Sequence, residues 1–368
     1  MKSEVNPIRV LVKALCLFVI INIVYALIDP QGSVASGYNF LFPGRTRLPF
    51  IAGGGPYSVA VDDVDTMFAS HMISSRKGLN EYRIVLIGDS SIWGEGLDAY
   101  QVISEQWNKL NVRCRDKTIK VYDLGYPHPS AIKDLVILDK AVQYKPDLII
   151  WFITLNTLMS QRVNPFLIAN PERVAKVLNA YNIAFEQGEK FDNKPTFYEK
   201  TLIGQRSGLA RKIKLEMLGI IWTATGVDNN RLAQDELPDL DVSDNPRYHG
   251  LQPSDGLRDT LSFSALTAGY EIAEPTPVLI VNEPIFIVDK KAATVRYNAV
   301  YPRWAYDQYR EQIASQAQNG GWNYLDLWNV IPARFFVDGR FHLSVDGERL
   351  LVQQINPALQ SIACSTKP

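Results

Sequence analysis

The chain opens on an apolar stretch unlike anything that follows. Ala14–Ile28 is apolar apart from Asn22, and Val10–Val12 extend it across Lys13. Lys2, Arg9 and Lys13 come first. A basic flank before an apolar run keeps the first residues in the cytoplasm and sends the bulk outward, so residues 1–30 are expected to form a membrane anchor or a signal segment. Both readings stay open. Ser33-Val34-Ala35 has the small residues of a cleavage site, while Asp29-Pro30-Gln31 suits the exit of an uncleaved anchor. The preceding charges argue against a buried core helix.

Residues 31–82 read as an irregular lead-in. Gly53-Gly54-Gly55-Pro56 is a loop but not a phosphate cradle, because no strand feeds it and no Gly-Lys-Ser/Thr follows. From Arg83 a regular alternation begins. Strands are expected at Arg83–Ile87, Lys120–Leu124, Asp147–Thr154, Pro277–Val281 and Tyr324–Leu327. The third is a near-continuous apolar run, as in a strand covered on both faces. Helices are expected near Tyr100–Leu110, from an N-cap at Ser130 through Val142, and over Trp304–Ala317 and Val345–Leu359. Alternation of this kind predicts an α/β fold, a parallel sheet with helices on both sides, over residues 83–368. One connection is out of proportion. A crossover needs a dozen or more residues, yet residues 160–275 separate the third and fourth strands, so this stretch reads as a large insertion, helical in its first half. Within it, Arg206, Arg211, Lys212 and Lys214 precede Leu215, Met217, Leu218, Ile220, Ile221 and Trp222. That pattern fits a core-facing helix with a basic outer end, or a helix lying on a membrane.

Composition narrows the function. With 46% hydrophobic and 21% charged residues the chain is globular. A formal net charge of -1 and the lack of a basic stripe point away from nucleic acid. The 4 His and 3 Cys show no metal-ligand spacing, so neither a metal nor another cofactor is expected.

Parallel sheets place their sites at the carboxyl ends of the strands. Gly88-Asp89-Ser90-Ser91-Ile92-Trp93-Gly94 follows the first strand, Gly125 the second, Asn156 the third, and Asp338 and His342 the fifth. A serine nucleophile needs a base, an acid behind the base, and donors for the oxyanion. Ser90 can be the nucleophile and His342 the base. The Ser90 and Gly125 amides and the Asn156 side chain can form the oxyanion hole. Asp89 reads as a residue stabilising the turn. His128 either lines the pocket or shapes its loop, and His71 and His249 are expected to be solvated.

These residues resemble the SGNH/GDSL hydrolases. Gly88-Asp89-Ser90 with Gly94 is similar to their first block, Gly125 and Asn156 to the second and third, and His342-Leu343-Ser344-Val345 to the last. The resemblance covers roughly 83–160 and 277–360. It implies a three-layer α/β/α, flavodoxin-like fold, here with five parallel strands, and ester hydrolysis or acyl transfer. Two departures stand out. The third block is Thr154-Leu155-Asn156-Thr157 where the family has Gly-x-Asn-Asp, and Asp338, which the resemblance implies as the acid, lies four residues before the histidine instead of three; a histidine oriented by a backbone carbonyl is the alternative. The leading expectation is an extracytoplasmic serine esterase or O-acyltransferase acting on a small-molecule or glycan acyl ester, with envelope glycans suggested by location alone. The alternative is a non-catalytic surface binding or assembly protein that keeps the fold. Cys16 lies in the apolar segment, which leaves Cys114 and Cys364 to pair in an exported domain.

Overall fold

In a computed structural model, residues 6–28, 44–50, 63–159, 164–183, 185, 191, 196–225, 243–257, 260–288 and 294–364 are described. The Ser33-Val34-Ala35 motif and the Gly53–Pro56 loop lie outside them. Extended runs β1 (Glu81–Ile87), β2 (Arg113–Cys114), β3 (Lys117–Asp123), β4 (Leu148–Ile153), β5 (Val278–Asn282) and β6 (Asn323–Asp326) form one sheet in the order β2-β3-β1-β4-β5-β6. All neighbours are parallel except β2, which runs antiparallel to β3. The five parallel strands follow the flavodoxin-like order. The sheet has six strands and not the five expected. Arg113-Cys114 is too short to show a period of two, and it is turned onto β3 by Arg115 and Asp116, both at positive φ.

The strands alternate between two cores. Val85, Ile87, Ile149, Trp151, Ile153 and Ile280 face the helices Ala131–Ala141, Phe263–Ala273 and Arg303–Gly320. Ile84, Leu86, Ile150, Phe152, Leu279 and Val281 face Ile103–Asn108 and Val345–Leu359. Ser130 caps the first of these helices, its hydroxyl accepting from Lys133 N at 3.3 Å. The helix Phe263–Ala273 lies within the stretch 160–275 and packs through Gly269, where a Cβ would run into the Trp151 ring. The last part of that stretch is therefore the crossover between β4 and β5. Earlier in it, Arg206–Thr225 is one helix, with Lys212 and Leu215 buried and Ile213, Met217 and Ile221 exposed.

The lead-in is less irregular than its sequence suggests. Asp63 caps a helix at Val64–Ser70, accepting from Thr66 N at 2.8 Å. Leu48, Val64, Met67, Phe68 and Ile73 are fully buried in the first core. Seven residues are too few to display a helical period convincingly, and the buried positions make sense only against the sheet. His71, expected to be solvated, is also fully buried. Its Nε2 lies 3.1 Å from Thr46 O and its Nδ1 accepts from Ile73 N at 3.1 Å, while burial pushes its pKa down to about 4. A neutral imidazole here satisfies backbone groups that would otherwise be buried without partners.

Pro7–Ile28 is a continuous helix, with Asn6 Oδ1 accepting from Ile8 N at 3.0 Å. Among the described residues it is the one helix long and apolar enough to cross a membrane. Asn22, the polar break in the run, is satisfied on both ends of its amide. Its Nδ2 donates to Phe18 O at 2.9 Å, and its Oδ1 accepts from Ile203 N at 3.2 Å.

Cys114 on β2 and Cys364 beyond the final helix are disulfide-bonded, with Cα atoms 5.0 Å apart. The bond closes a loop spanning 250 positions, and long closures restrict the unfolded chain most. Reduction, or Cys114→Ser, is expected to lower stability by about 2–5 kcal/mol. Denaturant midpoints with and without reductant measure this; coincident curves would show that the bond contributes nothing.

Candidate active site

β1 runs straight into the candidate nucleophile. Gly88 ends the strand, and Asp89 caps the single turn Ser90–Trp93, its Oδ1 accepting from Ser91 N at 3.0 Å. Asp89 is thus the turn-stabilising residue its position suggested. The turn aims Ser90 Oγ at His342 Nε2, 2.9 Å away. His342 Nδ1 lies 2.7 Å from Asp338 Oδ2. The other Asp338 oxygen accepts from the backbone N–H groups of Arg340, Phe341 and His342 at 3.0, 3.2 and 3.2 Å. That tight carboxylate-centred loop absorbs the extra residue between acid and histidine. Ser90 and His342 are both buried, each 7% exposed.

The electrostatics suit a base. Burial alone would lower the His342 pKa, but the Asp338 hydrogen bond and charge, helped by Glu95 and Asp89, outweigh it and raise the value above 6.5. For Asp338, burial works upward, while His342 and the backbone donors pull harder and hold the carboxyl below its usual range. Asp338 thus stays ionised behind a ring that can accept and return a proton.

The oxyanion candidates are placed less uniformly. Ser90 N heads its turn, where a helix offers no internal acceptor. Gly125 N already donates to Asp123 Oδ1 at 2.9 Å, so in this state its amide is not available to a substrate. The glycine is needed for a different close approach: a Cβ there would meet Trp93 N at 2.6 Å and Ile92 C at 2.9 Å. Asn156 sits on the turn Leu155–Leu158 just past β4. Its Oδ1 accepts from the Tyr248 hydroxyl and lies 3.3 Å from His249 Nε2. Those contacts fix the amide, with Nδ2 as its donating end. His249, expected to be solvated, is exposed yet in contact with this amide. His128 is exposed at positive φ, its ring edge-on to Phe50.

Beneath the nucleophile lies a buried polar layer. Lys133 is fully buried, and its Nζ donates to Gly88 O at 2.9 Å and Tyr126 O at 2.5 Å and lies 3.0 Å from Asp134 Oδ1. Ser91 Oγ donates to Glu283 Oε2. Burial, reinforced by the Asp89 charge, pushes the Glu283 carboxyl well above its usual range. Glu283 stands just past β5, the one carboxyl end for which the sequence suggested no chemistry; the strand-end rule itself would have found it. Tyr248 and Glu95 were missed for another reason, since no motif marks them.

The crowding at Gly125 has a measurable consequence. In Gly125→Ala the added methyl meets backbone that cannot swing away, so the nucleophile turn must shift. Stability is expected to fall by about 1–3 kcal/mol, read by chemical denaturation, and the Ser90–His342 hydrogen bond should lengthen in a structure of the variant. An unperturbed turn would refute this account of the glycine.

No family model matches the chain, and no curated protein is similar to it. Among solved structures it is similar to a carbohydrate acetylesterase family member from Sinorhizobium meliloti, at 12% identity and a TM-score of 0.34 over 76% of this chain and 98% of that one. It is also similar to a member of the lipolytic protein G-D-S-L family from Veillonella parvula DSM 2008, at 10% identity and a TM-score of 0.35 over 75% and 96% of the two chains. At that level neither neighbour informs the chemistry, which rests on the geometry of this chain.

Proposed function

We propose that residues 83–368 form an SGNH/GDSL-type serine hydrolase domain that cleaves or transfers acyl groups, held on the outer face of a membrane by the helix Pro7–Ile28. The observation that carries this reading is the line Ser90 Oγ, His342 Nε2, His342 Nδ1, Asp338 Oδ2, with successive separations of 2.9 and 2.7 Å across the ring.

The chemistry follows from that line. Neutral His342 accepts the Ser90 proton at Nε2 as Oγ attacks the ester carbonyl. Asp338 holds the ring through Nδ1 and stabilises the imidazolium. The tetrahedral oxyanion is met by Ser90 N–H and Asn156 Nδ2, and Gly125 N–H joins them if the substrate draws it from Asp123. Collapse of the intermediate breaks the bond to the leaving oxygen, which takes the proton from Nε2, and an acyl-Ser90 ester remains. Water then hydrolyses that ester, or a sugar hydroxyl takes the acyl group; the same base serves both. The exported location supports envelope glycan esters as substrates. The assembled line favours this enzyme over a binding protein that merely keeps the fold.

A fluorophosphonate probe should label wild type and fail on Ser90→Ala, which should lose activity on an activated short-chain ester by several orders of magnitude while remaining folded. Asn156→Ala should cost ~10²–10³ in kcat. Because the active form of His342 is neutral and its pKa is raised, activity should fall as pH drops through a midpoint above 6.5. An unlabelled, inactive wild type, or an active Ser90→Ala, would overturn the proposal.

The topology has its own test. Membrane fractionation and mass spectrometry of the mature N-terminus should find residues 1–30 retained. A mature chain starting at Ser36 would replace the anchor with a cleaved signal.

A further inference from the structure

His342 Nε2 faces two groups. Ser90 Oγ is one; the other is the carboxylate of Glu95, whose Oε2 lies 3.5 Å away. Glu95 plays no part in the mechanism above, and its side chain is 36% exposed.

Its position is built. Gly94 and Gly96 flank it at φ 80° and 83°, a left-handed backbone that side chains rarely adopt, and they fold the chain back over the nucleophile turn. Glu95 N donates to Ser90 O at 3.0 Å. Beneath the loop Arg47 is buried, its Nη1 reaching the Trp93, Gly94 and Leu97 carbonyls at 3.4, 3.3 and 3.1 Å and its guanidinium lying 3.9 Å over the Trp93 ring. The backbone under Glu95 is thus tied to the nucleophile and to the lead-in segment.

The mechanism fixes what else must come to Nε2. The leaving oxygen collects its proton there, within about 3 Å. A carboxylate 3.5 Å from the same nitrogen is then beside the leaving group. A plain alkyl or aryl leaving group offers it nothing, and an anionic one is repelled. A sugar or polyol carries a hydroxyl next to the scissile oxygen, and a charge-assisted hydrogen bond from that hydroxyl rewards the match.

We propose that Glu95 is the leaving-group recognition residue of this site: its carboxylate accepts a hydrogen bond from a hydroxyl adjacent to the scissile ester oxygen and so selects esters of sugars and polyols. This deepens the hydrolase reading and rests on it. For acyl transfer the same carboxylate holds the acceptor sugar hydroxyl's neighbour as Nε2 removes the attacking proton.

The arrangement also makes Glu95 part of the ring's electrostatic surroundings. The charged groups facing His342 are Asp338 at Nδ1, Glu95 at Nε2 and Asp89 from the nucleophile turn. Removing the Glu95 charge removes one of the influences that raise the ring's pKa, so the neutral base should form at lower pH.

The test uses the full chain in detergent, comparing wild type with Glu95→Gln and Glu95→Asp. The substrates are a glycerol or glucose monoacetate and phenyl acetate, which has no neighbouring hydroxyl. Glu95→Gln should lower kcat/KM for the polyol ester roughly tenfold or more relative to phenyl acetate. Glu95→Asp should restore part of that preference. The His342 titration midpoint, followed by NMR of ring-labelled histidine without substrate, should move down in Glu95→Gln. A probe-labelled, active wild type whose Gln variant keeps the same substrate ratio, or the same midpoint, overturns the proposal alone. A wild type that neither takes the probe nor turns over either ester overturns the hydrolase reading, and this proposal with it.

Discussion

The loops that carry the site are held together by one buried ammonium. Lys133 reaches the carbonyl of Gly88, where β1 ends, and the carbonyl of Tyr126, just past β3, with Asp134 beside it. An ammonium this deep is tolerated only when its donors are matched, and here the matching acceptors belong to two different strand ends. Taking away one partner of such an arrangement typically costs 3–5 kcal/mol. The spacing between the nucleophile turn and the Gly125 loop therefore follows from a charge that has nowhere else to go. The close packing of Gly125 on Ile92 and Trp93 completes the same joint from the other side.

Around that cation the chain gathers more acid than one lysine can offset. Asp89, Asp123, Asp134, Glu283 and Glu348 are all buried. Desolvation pushes Asp123, Glu283 and Glu348 well above their usual range and raises Asp134 as well. Desolvation of this kind favours the neutral form of a carboxyl. Asp338 is the counterexample within the same fold. It is partly solvent-exposed and ringed by three backbone donors and an imidazole, so it keeps its charge. The surroundings, not the residue type, separate these buried acids from Asp338 at His342 Nδ1.

Much of the fold was legible because a parallel sheet buried on both faces writes itself as apolar runs. β1, β3, β4, β5 and β6 each lie within a residue or three of the ranges their sequences suggest. Ser90, His342 and Asp338 were visible as residue types placed after successive strands, and the structure brings the three into one hydrogen-bonded line. What stayed hidden depends on contacts distant in sequence. β2 is two residues long and exists only because a turn lays it on β3. Val64–Ser70 needs the sheet to give its apolar side a purpose. His71 looks like any surface histidine until Thr46 and Ile73 close around it. Tyr248 acts on Asn156 across 92 positions of chain, a separation over which no local pattern carries information, and although Glu283 follows a strand end, its partner Ser91 lies 192 positions away.

β2 also has a bearing on how molecules meet one another. An open sheet edge is a row of unpaired amides and carbonyls, a template on which a second molecule can build. β3 would present such an edge over most of its length, but β2 lies across part of it, and Cys114 ties β2 to the end of the final helix. The far edge, β6, is only four residues long. The bond between Cys114 and Cys364 thus holds β2 over Lys117 and Thr118, at one end of that edge, where a second strand would otherwise meet unpaired backbone.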